Sequence, residues 1–121
     1  MYINPTKEQQ AAFIQLPDLE PINMINLLKF KEGGKATYLE YMKAVTPLFE
    51  QVGGKTLWVG EPLHTLIGPE EEQLWDMMLI AQYPNKMALM QLGGHPDYPG
   101  HLRSDALEDS RLIVSKPFEL I

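Results

Sequence analysis

The sequence predicts an α+β domain in which an antiparallel sheet has helices on one face and a second copy of the chain on the other. The first observation behind this prediction is the order of the segments, which is β-α-β-β-α-β after a short leading helix. The second is that two of the strands are apolar on both faces. The third is the length of 121 residues, which suits one domain but leaves too little chain to cover both faces. We therefore expect residues 1–121 to form a single domain.

The chain is predicted to begin with a helical leader within residues 1–20. Thr6 and Gln9 have the spacing of a capping box, and Pro17 ends the segment. Residues 22–30, INMINLLKF, are almost wholly apolar over the length of a strand. This run is therefore predicted to be the first core strand.

An amphipathic helix follows, because apolar side chains recur at intervals of three, four and seven residues. These side chains are Tyr38, Tyr41, Met42, Val45, Phe49 and Val52. Pro47 lies inside the pattern and predicts a kink toward the last turn, and Gly53-Gly54 ends the helix.

The remaining segments are predicted to be two strands, two short helices and a final strand. The second strand is interrupted at Pro62, and an acidic hairpin tip separates it from the third. The predicted strands are 55–61 and 63–67 for the interrupted second strand, 74–82 for the third and 111–118 for the final one. The two helices are predicted at 84–94 and 97–107, with Pro99 in the first turn of the second helix. This order is the split βαβ arrangement of ferredoxin-like folds.

Strands one and three place apolar side chains on both faces. In the first strand Met24 and Leu28 point one way, and Ile25 and Leu27 point the other way. In the third strand, Met78 and Ile80 oppose Trp75, Met77, Leu79 and Tyr83. The helices can cover only one face, so a second sheet about 10 Å away is the simplest cover for the other. The sequence therefore predicts a homodimer, a dimeric α/β barrel.

The composition argues against several classes of partner. The formal net charge of −6 opposes binding to the phosphates of nucleic acid or to anionic membranes. No segment approaches the roughly 20 apolar residues of a membrane span, and the first residues are polar, unlike a signal peptide. The chain has no cysteine, which excludes disulfide and thiolate chemistry. We expect no nucleic-acid or membrane partner, and a cytoplasmic location.

Several segments together resemble the domain of unknown function 1330 family, within the dimeric α/β-barrel superfamily. The segments are PTKEQQ, PINMINLLKF, YLEYMKAVTPLFEQVGGK, LIGPEEEQLWDMMLIAQYPNK and HLRSDALEDSRLI, and they cover nearly the whole chain. The resemblance implies the ferredoxin-like fold and the dimer, but it implies no particular reaction. Superfamily relatives include cofactor-free monooxygenases, muconolactone-type isomerases and haem-handling enzymes, whose ligands lie between the sheet and its helices or within the barrel. Haem-degrading relatives use an Asn, a Trp and a His, the residue types of Asn26, Trp75 and His101.

His101 and Asp105 are the candidate general base and its orienting carboxylate. They are four residues apart on a predicted helix, a spacing at which a carboxylate can fix the tautomer of an imidazole and raise its basicity. The alternative is an ordinary, partly exposed pair on a helix surface. In the catalytic interpretation, His101 borders the same cavity as Asn26.

Asn26 is the polar residue in the middle of the apolar first strand. A buried amide needs hydrogen bonds, so Asn26 either holds a neighbouring loop or directs a polar group into a pocket. In the second interpretation, Asn26 or Arg103 stabilises a developing oxyanion.

Trp58, Trp75, Tyr98 and Arg103 are the candidate substrate-binding residues. The two tryptophans belong to predicted strands and can line a pocket for a planar organic molecule. The alternative for both is packing in the core or at the dimer interface.

The sequence shows no recognisable metal or cofactor motif, and we expect neither. His64 and His95 have no partner at a metal-ligand spacing, and there is no phosphate-binding glycine loop. Three hypotheses for function follow. They are a cofactor-independent oxygenase- or isomerase-like enzyme acting on a small organic molecule, a non-catalytic metabolite-binding or stress-response module, and a structural dimer without a ligand.

Overall fold

The computed structural model describes residues 1–120 and shows four helices and one four-stranded antiparallel sheet. The elements are α1 (Lys7–Ile14), β1 (Ile22–Phe30), α2 (Gly34–Gln51), β2 (Lys55–Gly60), β3 (Met77–Tyr83), α3 (Lys86–Gly93), α4 (Gly100–Ala106) and β4 (Leu107–Ser115). The strand order is β2-β3-β1-β4, with β1 between β3 and β4. The predicted α+β class is confirmed.

Strand β1 has the predicted bounds, and its side chains alternate between the two faces of the sheet. Ile22, Met24 and Leu28 are buried under the helices with Leu79 of β3. These residues form the centre of the core, to which α2 contributes Tyr38 and Tyr41.

The close approach of α2 to α4 requires a glycine. A Cβ added to Gly34 would overlap the carbonyl oxygen of Ala106, the last residue of α4. Lys31 N–H also donates to that oxygen, at 2.9 Å. The first turn of α2 is therefore packed directly against the end of α4.

The leading helix begins as predicted, because Thr6 and Gln9 form the complete capping box. Pro47 lies within α2, which continues to Gln51 and is followed by Gly53 with a φ of 85°.

Several predicted boundaries are wrong. Residues 61–76 form an irregular connection, so the predicted strand at 63–67 is absent, and the third strand begins at Met77. The apolar residues of this connection, Leu63, Leu66 and Ile67, are at least 81% exposed, so no sheet contact favours a strand there. The last helix ends at Ala106, and β4 follows at once from Leu107, four residues earlier than predicted.

The sheet face opposite the helices has an apolar centre, and no helix covers that centre within the described residues. In β1 it presents Ile25 and Leu27, and Ile25 pairs with Ile80 on one side and with Ile113 on the other. Ile113 is 48% exposed and Trp58 of β2 is 51% exposed. We call this surface the open face. Within the described residues, no helix is long and apolar enough to cross a membrane.

Candidate functional site

A cavity of about 90 Å³ lies between the sheet and helices α2, α3 and α4. The strands contribute Met24, Asn26, Tyr83 and Leu112, and the helical side contributes Tyr41, Leu89, Leu92, Gly93, Tyr98 and Arg103. The lining is therefore apolar except for one amide, one guanidinium and three phenol groups. A mostly apolar space with a few converging polar groups is typical of ligand sites.

The phenol groups of Tyr41 and Tyr98 form a hydrogen-bonded pair with an oxygen–oxygen distance of 2.8 Å. Their rings meet edge to face, with centroids 6.0 Å apart. Burial, followed by the neighbouring Tyr98 phenol, raises the pKa of Tyr41 far above its ordinary value. Burial likewise raises the pKa of Tyr83. Both groups are therefore neutral at physiological pH.

Arg103 is half-buried at the edge of the cavity. Its Nη1 donates a hydrogen bond of 2.7 Å to the backbone carbonyl of Ile3, so the N-terminal segment holds the guanidinium in place. Among residues 1–120, no carboxylate lies within 4.0 Å of the Arg103 guanidinium, so Arg103 forms no ion pair there. Burial raises the pKa of Tyr38 to about 12, and the charge of Arg103 opposes that rise.

Asn26 is 9% exposed and points toward the helices, on the same face as Met24. Its Nδ2 donates to the backbone carbonyl of Met24 at 3.3 Å. In the described part of the chain, its oxygen accepts no hydrogen bond, and the residue lines the cavity. Asn26 is therefore part of the cavity wall, and its role there stays a prediction.

The cavity brings together Asn26, Tyr98 and Arg103 from the predicted set but not His101 and Asp105. Both of those side chains are exposed. Helix α4 turns Leu102, Arg103 and Ala106 inward, so residues 101 and 105 lie on its outer side. The expectation that His101 borders the same cavity as Asn26 is therefore wrong, and its role as a base has no support from this cavity.

The two tryptophans lie away from the cavity. Trp58 is on edge strand β2 and pairs with Ile80 on the open face. Trp75 precedes β3, and its ring lies 5.1 Å from the guanidinium carbon of Arg111. The two residues therefore do not line this pocket. Sequence reasoning missed Tyr41 and Tyr83 as lining residues, although a core tyrosine needs a partner for its hydroxyl and so carries a polar signal.

A second polar cluster surrounds Asp109 at the start of β4. Its buried carboxylate accepts hydrogen bonds from Tyr2 N–H, Ser110 N–H, Gln73 Nε2 and Arg111 Nη1, at 2.8–3.0 Å. Burial alone would raise the pKa of Asp109, but these donors hold it below its ordinary value. Every contact is within the chain, so the cluster fastens the N-terminal segment and the 61–76 connection to β4.

A broader depression of about 640 Å³ lies beside the start of α2, but it is open to solvent. Its charged lining residues are Lys29, Lys31, Lys35, Glu32 and Asp76, and Lys29 and Asp76 pair with each other at 3.5 Å. Mixed, exposed charges give it no single preference for a ligand. The cavity behind Arg103 is smaller, but its polar groups converge, and it is the better candidate site.

Sheet order and helix placement define a ferredoxin-like protein. A crystal structure of the RPA0582 protein, of unknown function, from Rhodopseudomonas palustris is 37% identical, with a TM-score of 0.87 and 98% of each chain covered. The chain belongs to the same family as RPA0582. No protein-family model matches it. No curated protein matches it either.

Two more distant structures share the fold. A dimeric ferredoxin-like protein of unknown function from Jannaschia is 12% identical with a TM-score of 0.61, covering 80% of this chain and 99% of that one. SnoaB, a cofactor-independent oxygenase from Streptomyces nogalater, is 14% identical with a TM-score of 0.55, covering 85% of this chain and 98% of that one.

Proposed function

We propose that the protein is a homodimer that binds a small organic molecule in the cavity between the sheet and helices α2 to α4. One observation supports this above all: the groups of Asn26, Tyr98 and Arg103, far apart in the sequence, converge on one otherwise apolar space. We also propose that the chain belongs to the domain of unknown function 1330 family and that its location is cytoplasmic.

Binding without catalysis suits the cavity best. Its lining includes no Asp, Glu or His. Tyr41 and Tyr83 are held neutral by burial, so they donate hydrogen bonds and do not remove protons at neutral pH. We therefore prefer a metabolite-binding or stress-response module to an enzyme.

A cofactor-independent oxygenase- or isomerase-like enzyme is the second candidate. The observation in its favour is the set of donors, because a guanidinium and a phenol pair can stabilise an oxyanion as it develops on a substrate. It needs a base from outside the lining residues, or a substrate that is already ionised. SnoaB shows that an oxygenase exists on this fold, but at 14% identity it supports the fold alone.

The dimer is supported by the open face. Ile25, Ile80 and Ile113 form an apolar row across three strands, and two sheets can bury such rows against each other. The Jannaschia structure is described as dimeric, which is in keeping with this arrangement.

An NMR survey of small molecules tests the function. The ¹⁵N-labelled protein is titrated with short acids, amides, alcohols and ketones. We expect some of them to shift the amide signals of cavity residues such as Leu92 and Gly93 in a saturable way. Lys35→Met, in the open depression outside the cavity, is expected to bind the same compounds unchanged. If no compound shifts a cavity residue, the proposed function is wrong.

A further inference from the structure

We propose that the cavity binds the carboxylate of a short aliphatic acid, with Arg103 as its cationic partner and the Tyr41–Tyr98 hydroxyl pair as a donor beside it. This inference rests on the proposed function, because it names the class of molecule that the same cavity takes.

Arg103 carries a positive charge that has no counterion among the described residues. The chain has 16 acidic residues and a net charge of −6. The three ion pairs of the described residues are Lys29–Asp76, Lys86–Asp18 and Arg111–Asp109. Arg103 is half-buried and takes part in none of them, although burial makes an unpaired charge unfavourable. An anion in the cavity would supply the missing partner.

Arg103 and the Tyr41–Tyr98 pair offer free hydrogen-bond donors to a ligand. A guanidinium has five N–H groups in a planar fork that matches a carboxylate, and one nitrogen of Arg103 is engaged with Ile3. The Tyr41–Tyr98 pair has two hydroxyl protons, and the hydrogen bond between the two oxygens uses only one. The second proton is therefore available to a ligand. Among the described residues that line the cavity, no negatively charged side chain competes with a ligand for these donors.

The size and polarity of the cavity suit a short aliphatic molecule. A cavity of about 90 Å³ leaves room only for a small ligand. Met24, Leu89, Leu92 and Leu112 line the rest of it, and their apolar surface suits a short hydrocarbon chain. One cation matches one carboxylate, so a monocarboxylate fits better than a dicarboxylate.

Propionate and propionamide provide the test, because they have nearly the same shape and differ in charge. In NMR titrations at pH 7, we expect propionate to shift the signals of cavity residues in a saturable way. Propionamide is expected to bind about ten- to a hundredfold more weakly, since it lacks the charge-assisted hydrogen bonds.

Three variants identify the groups responsible. Arg103→Met is expected to weaken propionate binding about ten- to a hundredfold, and Tyr98→Phe to weaken it by about tenfold while keeping the ring. Lys35→Met, in the open depression, removes a positive charge elsewhere and is expected to leave binding unchanged. Because Arg103→Met also removes the hydrogen bond to Ile3, the Tyr98→Phe variant keeps the test valid if the first variant unfolds.

The possible failures are distinguishable. If propionamide or butanone binds in the cavity as well as propionate, or if Arg103→Met and Tyr98→Phe both bind propionate like the unmodified protein, the carboxylate proposal is wrong and the proposed function stands. Propionate shifts confined to Lys31 and Lys35 would also overturn it. If neither charged nor neutral compounds shift a cavity residue, both proposals fail.

Discussion

The buried Asp109 carboxylate is expected to stabilise the fold in its ionised form. Its folded-state pKa is lowered, so its contribution is present above the unfolded value of about 3.9 and is lost as the pH falls through the folded value. We expect Asp109→Asn to reduce the free energy of unfolding at pH 7 by about 1–3 kcal/mol. The difference from the unmodified protein should shrink below about pH 4.

Urea unfolding at pH 7, 5 and 3.5 measures this dependence. Asp105→Asn, at an exposed position of α4, is the matched control and should unfold like the unmodified protein at all three values. A difference between Asp109→Asn and the unmodified protein that stays constant across the three would show that the charge of Asp109 is not what stabilises the cluster.

His101 is expected to contribute little to either stability or binding. It is exposed on the outer side of α4, away from the cavity. His101→Ala should therefore change the free energy of unfolding by no more than about 0.5 kcal/mol, as exposed substitutions usually do. Its propionate affinity should equal that of the unmodified protein. A tenfold loss of affinity in this variant would restore His101 to the site.

For single residues, the sequence predicts which residue types matter better than it predicts where their side chains point. Asn26 stands out because it is polar within an apolar strand, and the structure places it at the cavity. Helix α4, however, begins at Gly100 and not at Asp97. This boundary, together with the close packing of Ala106 on Gly34, turns Arg103 inward and His101 outward. A tertiary contact decides which side of a short helix faces inward, and a pattern of seven residues does not specify it.

The contact between α2 and α4 depends on the missing side chain at Gly34. Gly34→Ala places a Cβ on a backbone oxygen that cannot move independently of its strand and helix. We expect a loss of about 1–3 kcal/mol, as for other overpacked sites. Thermal or urea unfolding measures it.

Gly93→Ala is the matched control for this prediction. A Cβ at Gly93, the last residue of α3, meets nothing within 4 Å. Because alanine favours helix, its stability should be equal to that of the unmodified protein or higher by up to about 1 kcal/mol. If both alanine variants were equally destabilised, the close approach of α2 to α4 would not be the cause.

Among the elements, those with strong local signals are the ones correctly predicted. The apolar run of β1 and the capping box of Thr6 and Gln9 gave the right strand bounds and helix start. Strand β4 was predicted too late, because Asp109 and Ser110 are polar. These residues lie in the strand and are buried there because Tyr2 supplies hydrogen-bond partners for both. Such long-range pairing is invisible to a local pattern.

At the scale of the whole molecule, a single charge introduced on the open face is expected to dissociate the dimer. Ile113 is 48% exposed on that face, and Leu39 is 52% exposed on α2. We expect the unmodified chain to have a mass in solution of about twice 13.8 kDa. Ile113→Lys should halve it, because a lysine there would bring two charges into one apolar interface. Leu39→Lys should leave it unchanged. Light scattering at micromolar concentration decides between these outcomes, and a monomeric unmodified protein would rule out the dimer.

The hydrogen bonds of the N-terminal segment have a consequence for the order of folding. Tyr2 bonds to a residue 107 positions away, and Ile3 to one 100 positions away. Their partners lie in α4 and β4, so we expect these bonds to form after the local helices, once α4 and β4 have packed. During synthesis, the first residues must wait until residues 103–110 have been made. Since Ile3 holds Arg103 in place, the cavity acquires its oriented cation only after α4 has packed.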